Sequence, residues 1–120
     1  MPQHYRDLIA WPKAMDLVES VYKLTEDFPK REAYGLTDEI RRAAASIPSN
    51  IVEGQAHFTN REFVHNLRHS RGSLAELETQ LLIARRLDYL SGSDADQLLR
   101  KTDELGRILS GLISSLKSSE

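Results

Sequence analysis

The stretch SDADQLLRKTDELGRILSGLISSLK, residues 93–117, decides the fold. Ala95, Leu98, Thr102, Leu105, Leu109, Leu112 and Leu116 advance by three and four residues in turn. That spacing keeps one face of an α-helix toward a partner and has no strand equivalent. Ser93 with Asp96 has the form of a capping box, so the spacing predicts a helix over 94–117. A single helix cannot cover its own apolar stripe, and the rest of the chain supplies three more of the same kind.

Reading backward from Ser91-Gly92-Ser93, the row Phe63, Leu67, Ser70, Leu74, Leu77, Leu81, Ala84 predicts a helix over 59–90. It opens on the capping box Thr59-Asn60-Arg61-Glu62. Ile40, Ala44, Ile47 and Ile51 mark another helix over 37–53. Thr37 is its expected cap, Asp38 and Glu39 face the positive end of its dipole, and Gly54 is its expected C-cap. Pro48 lies inside it, where the missing amide and the bulk of the ring should bend the axis. Ser46 and Ser49 are placed to satisfy freed backbone groups. Ala14, Leu17, Val18, Val21, Leu24 and Phe28 mark the first helix, over 12–28, with Pro12 at its first helical position, where its missing amide costs nothing, and Pro29 ending it.

Composition agrees with helix. The chain has 120 residues, and its 17 Leu outnumber its 11 Ile and Val, a balance that disfavours strands. Short connections force successive helices to run antiparallel, so the expected architecture is an all-α, up-down-up-down four-helix bundle forming one domain over 1–120. Gly72, Gly106 and Gly111 fall inside predicted helices, where each costs about 1 kcal/mol against Ala. Close approach of another backbone, within the bundle or between subunits, is the expected compensation.

Several classes of chemistry are excluded by what the chain lacks. Without cysteine there is no disulfide framework, thiolate nucleophile or zinc finger. No Gly-x-Ser-x-Gly elbow, Walker-type loop or dinucleotide fingerprint is present, so no enzyme activity and no cofactor is expected. Glu62 and His65 have the spacing used in di-iron bundles, but no second Glu-x-x-His accompanies them. His65 and His69, four residues apart, lack a third metal ligand. No apolar run exceeds four residues and the first seven residues have no signal-peptide core. The expectation is therefore a cytoplasmic protein without a membrane span.

Charge is nearly balanced, with 16 Lys and Arg against 18 Asp and Glu and a net of −2. The average hides a local excess. Residues 61–71 carry three Arg against one Glu, for +2 with His neutral. Arg61, Arg68 and Arg71 on the third helix, with the Arg41-Arg42 doublet on the second, form the candidate nucleic-acid-binding set, since the arginine fork pairs well with phosphate. The competing reading is a solvated surface with ion pairs such as Glu39 with Arg42 and Glu104 with Arg107.

Four segments carry a family resemblance. They are YRDLIAWPKA (5–14), YGLT (34–37) with IRRAA (40–44), SIPSNIVEG (46–54) and RGSLAELETQL (71–81). In these the chain resembles the 23S ribosomal RNA intervening-sequence protein family of small bacterial four-helix bundles. The resemblance implies a bundle fold, assembly with copies of itself as a homopentamer, and no catalytic residue. Some members are accessory proteins of diversity-generating retroelements that bind nucleic acid and a reverse transcriptase, so nucleic acid or a nucleic-acid enzyme is the implied further partner. The expected function is that of a non-enzymatic oligomeric accessory protein.

Overall fold

The computed structural model describes residues 8–57 and 59–118. The Tyr5-Arg6-Asp7 start of the first resembling segment and the first seven residues, in which no signal-peptide core is expected, lie outside them. Four helices, α1 (Ala10–Thr25), α2 (Leu36–Ala56), α3 (Asn60–Arg86) and α4 (Gly92–Ser118), are joined by short connections, the first of which holds a 3-10 turn, Lys30–Glu32. α1 packs on α2 and α4, α2 on α3, and α3 on α4, while the diagonal pairs stay apart. This is a four-helix bundle measuring 46 × 24 × 20 Å, with each helix beside its sequence neighbours.

The expected stripes form the core. Ala14, Leu17 and Val21 of α1, Ile40, Ala44, Ile47 and Ile51 of α2, Leu67, Leu77 and Leu81 of α3, and Leu98, Leu105 and Leu109 of α4 are essentially closed to solvent. Each large side chain among them stabilises the fold by roughly 1.5–3 kcal/mol relative to exposure. One departure has a geometric cause. Near the end of α4 the buried residue is Ile113, with Leu112 and Leu116 only half covered. A seven-residue repeat drifts by about 20° per heptad on a straight helix, so the seam moves off the heptad row after three repeats.

Helix ends depart further from the sequence reading, each for a local reason. α1 starts at Ala10, two residues early, so Pro12 is its third residue and still within the turn whose amides lack helical partners. It stops at Thr25, three residues short, where the chain turns toward buried Phe28 and the Phe28 amide donates to the Thr25 carbonyl (3.1 Å). α2 starts at Leu36 with Gly35 as N-cap and no cap bond from that residue. Thr37, the expected cap, is buried with its hydroxyl unpartnered. Its place is taken by Glu32, whose Oε1 accepts from the Leu36 amide (3.1 Å) while Oε2 accepts from the Tyr89 hydroxyl (2.9 Å). The amide bond, and then the Tyr89 bond, hold the Glu32 carboxyl below its ordinary range.

α2 also runs past Gly54, which is an interior residue and not a C-cap. A Cβ built there would lie 2.7 Å from Asn66 Cβ and 3.0 Å from Phe63 Cδ1, so glycine permits close approach of α2 and α3. Pro48 is accommodated within the helix. Ser46 donates to the Ala43 carbonyl (2.8 Å) and Ser49 to that of Ala45 (2.9 Å), on either side of Ala44, whose carbonyl lost its donor to Pro48. Ser70 reaches across from α3 to the Ile47 carbonyl (2.9 Å).

Thr59 caps α3 as expected, accepting from the Glu62 amide (3.2 Å). That helix ends at Arg86, four residues early, in a Schellman motif. Asp88 adopts a left-handed φ of 62°, the Tyr89 amide donates to Ala84 (2.9 Å) and the Asp88 amide to Arg85 (3.1 Å). Aspartate tolerates this conformation better than most residues, which is why no glycine marks the stop. α4 begins two residues early because its cap is Ser91, whose hydroxyl accepts from the Asp94 amide (3.0 Å), and not Ser93 with Asp96.

Candidate interaction surface

The five candidate arginines do not form one stripe. Arg41 is half-buried, and its guanidinium is occupied by the end of α1. Nε donates to Thr25 Oγ1 (2.9 Å), Nη2 donates to the Tyr22 carbonyl (3.2 Å), and the group lies 4.5 Å from the centroid of the Tyr22 ring. A cation that satisfies the last carbonyls of a helix and stacks on an aromatic is a structural residue. Arg42 pairs with Asp38 one turn earlier (2.8 Å), not with Glu39. Likewise Arg107 pairs with Asp103, and Glu104 crosses to Lys13 of α1 (3.3 Å). In both intrahelical pairs the acid sits four residues before the arginine, where the side chains meet more readily than at three.

Arg61 and Arg68 are exposed, and neither has a carboxylate within ion-pair distance among the described residues. Arg71 is exposed as well and donates from Nη1 to Ser110 Oγ (3.4 Å) at an open groove between α3 and α4. The Ile47–Ser70 and Gly54–Phe63 contacts set the antiparallel register of α2 and α3. That register brings Arg41 level with Glu76, about 22 Å along the axis from Arg61 at 1.5 Å per residue. Arg41 is therefore far from Arg61 although only about 8 Å along the axis from Arg71, and its guanidinium is held by α1 while Arg61, Arg68 and Arg71 are exposed.

His65 and His69 stack edge to face with centroids 4.7 Å apart on the exposed side of α3. No group of three His, Cys, Asp or Glu among the described residues is placed to hold a metal ion. In the α3–α4 groove, the Thr102 hydroxyl lies 3.0 Å from Glu78 Oε2 and 2.9 Å from the Leu99 carbonyl, and its single hydrogen serves one at a time. No described helix is long and apolar enough to cross a membrane.

Two apolar surfaces escape a reading based on core stripes alone. α1 carries a second row, Trp11, Met15, Val18 and Tyr22, with Met15 42% and Tyr22 43% exposed and the other two half-buried. Its spacing of four, three and four is legible in the sequence, where Val18 also belongs to the core row beside it. Leu82, Ile83 and Leu87 at the end of α3 are also 43–50% exposed. Among the interior glycines, Gly106 has one ordinary contact, Leu74 Cδ2 at 3.5 Å, while Gly72 and Gly111 have nothing within 4 Å of a built Cβ. Close packing inside the bundle therefore explains Gly54 and leaves Gly72 and Gly111 without an intrachain reason.

The architecture recurs in a solved structure, a protein of unknown function from the S23 ribosomal protein family of Bacteroides thetaiotaomicron. The two share 19% identity and superpose with a TM-score of 0.80 over 88% of this chain and 96% of that one. A search of curated proteins returns no match. The family model described as 23S rRNA-intervening sequence protein matches residues 6–111, across all four helices. With the bundle, the SIPSN segment carried inside α2 and the matched span in agreement, this chain belongs to the 23S rRNA-intervening sequence protein family.

Proposed function

We propose that this protein is a non-enzymatic, cytoplasmic accessory protein that works as an oligomer. The observation that carries the reading is the second apolar row of α1. A bundle needs one covered face per helix, and α1 has two, the outer one bearing exposed Met15 and Tyr22. Apolar surface of this kind beside a complete core marks an interaction site. Gly72 and Gly111, open to solvent in one chain, point the same way. Light scattering coupled to size exclusion tests it on the purified chain. A pentamer of 13.6 kDa chains has a mass of about 68 kDa, and a monomer at micromolar concentration overturns the reading.

Exposed Arg61 and Arg68 support a second reading, binding of RNA or single-stranded DNA. Arg41, held by α1, has no part in it. Fluorescence anisotropy with a labelled single strand should show affinity falling steeply with salt, and loss of Arg68 should lower the slope by about one per phosphate contact. No binding at low salt rejects this reading.

A further inference from the structure

The α3–α4 side of the bundle is divided by charge along its length. The half built from 60–75 and 105–118 carries five cations, Arg61, Arg68, Arg71, Arg107 and Lys117, against the one carboxylate of Glu62, for +4 with His neutral. The other half, 76–86 with 92–104, carries four cations against six carboxylates, for −2. Glu62 stands one turn before Asn66, the residue that meets Gly54, so it is turned to the α2 side, where Glu53 also lies. Glu120, the one acid after Lys117, is outside the described residues. Two hydrogen bonds set the basic stretches side by side. Asn60 Nδ2 donates to the Leu116 carbonyl (3.2 Å) and Arg71 Nη1 to Ser110 Oγ (3.4 Å), which puts Lys117 near the level of Arg61 and Arg107 near that of Gly72. On α4, Arg107, Ser110, Ser114 and Lys117 step by three, four and three and share the face that meets Arg71. On α3, Arg61, Arg68 and Arg71 step by seven and three and form the facing wall. The open groove between the helices begins at the Glu78–Thr102 contact and reaches Arg71 and Ser110, and the two rows continue it to the end of the bundle. Arg107 is paired with Asp103, but Arg61, Arg68 and Lys117 have no carboxylate partner among the described residues, and Arg71 has a serine.

Spacing selects the anion. From Arg61 to Arg71 the wall spans about 15 Å at 1.5 Å per residue, too far for one small anion and within reach of successive phosphates on one strand. The rows stand on helices whose axes pack about 8–10 Å apart, so a strand between them can be held from both sides. Arginine forks pair with phosphate, and lysine and serine hydroxyls donate to it. Stacking has no platform here, because Phe63, the one Phe, Tyr or Trp in these stretches, packs on the core and on Gly54. We infer that a single-stranded polynucleotide lies along the α3–α4 seam, its phosphodiesters held by Arg61, Arg68 and Arg71 on one wall and by Lys117 on the other. The inference rests on the nucleic-acid reading above and extends it from α3 to α4.

The test is fluorescence anisotropy of the full chain with labelled oligouridylate and oligothymidylate, with helix content checked by circular dichroism. Four phosphate contacts predict a slope of log affinity against log salt of about −3, and Arg71→Ala or Lys117→Ala should each reduce it by about 0.7–1. Ser114→Glu, which sets a carboxylate at an exposed position between Ser110 and Lys117, should weaken binding about tenfold at low salt. Arg100→Ala, on the acidic half of the same helix, should change affinity by less than about twofold. The RNA and DNA strands should bind alike, because phosphate contacts ignore the sugar, and a preference of about tenfold or more for either overturns the phosphate assignment. If Arg68→Ala weakens binding while Lys117→Ala and Ser114→Glu do not, the strand lies on α3 alone, and the seam is overturned while the nucleic-acid reading stands. An Arg100→Ala loss equal to that of Lys117→Ala makes binding a matter of overall charge and overturns the seam as well. A wild type that binds neither strand at low salt ends both readings.

Discussion

The seam between α2 and α3 and the outer surface of the bundle use the same residue types to opposite ends. In the seam, Gly54 brings two backbones together and Ser70 bonds a carbonyl of the neighbouring helix. On the outside, a Cβ built at Gly72 or Gly111 meets nothing within 4 Å beyond its own stretch of helix among the described residues. The arginines divide in the same way, since Arg41 caps α1 while Arg68 stands in solvent without a partner among the described residues. A residue type therefore says little about role until the neighbouring helix is in place.

Substitutions in the seam should be costly and those outside nearly silent. The largest effect is expected from Leu67→Ala, which empties a fully buried site and should cost about 2–5 kcal/mol in chemical denaturation. Gly54→Ala comes next, at roughly 1–3 kcal/mol, because its methyl would lie 2.7 Å from Asn66 Cβ and the helices must separate. A cost below about 0.5 kcal/mol there would show that the seam yields easily. Arg41→Ala should lose about 1–2 kcal/mol with the capping bonds to α1, whereas Arg68→Ala should stay within about 0.5 kcal/mol. Equal losses at the two arginines would erase the division. Gly111→Ala, outside the seam, should instead gain up to about 1 kcal/mol, seen as a higher melting temperature.

The smallest effect concerns pH. Glu32 is held below its ordinary range by the Leu36 amide and the Tyr89 hydroxyl, so its contribution is present above the unfolded value of about 4.3 and is lost as pH falls through the lower folded value. Glu32→Gln should therefore lose less stability than the wild type on acidification from neutral pH. Identical acid profiles by thermal melting would remove Glu32 from the stabilising set.

Helix count, helix type and most of the core were legible in the sequence because burial in a bundle imposes a spacing of three and four that local composition displays directly. The helix ends were less legible. Glu32 caps α2 from the preceding turn, and Asp88 ends α3 in a conformation that Asp, unlike Gly, does not advertise. The candidate site was legible only as a set of arginines. Nothing in the sequence distance between Arg41 and Thr25 announces that α1 would consume that guanidinium, since the contact exists only once α1 and α2 pack.

By itself, then, the sequence determined that four amphipathic helices would pair in order, because stripe and loop length act along the chain. Tertiary structure alone decided which polar groups were spent inside the bundle. Arg41 and Gly54 are committed by the helix against them, and Arg61, Arg68 and Gly72 are left on the outside because no helix of the same chain lies there.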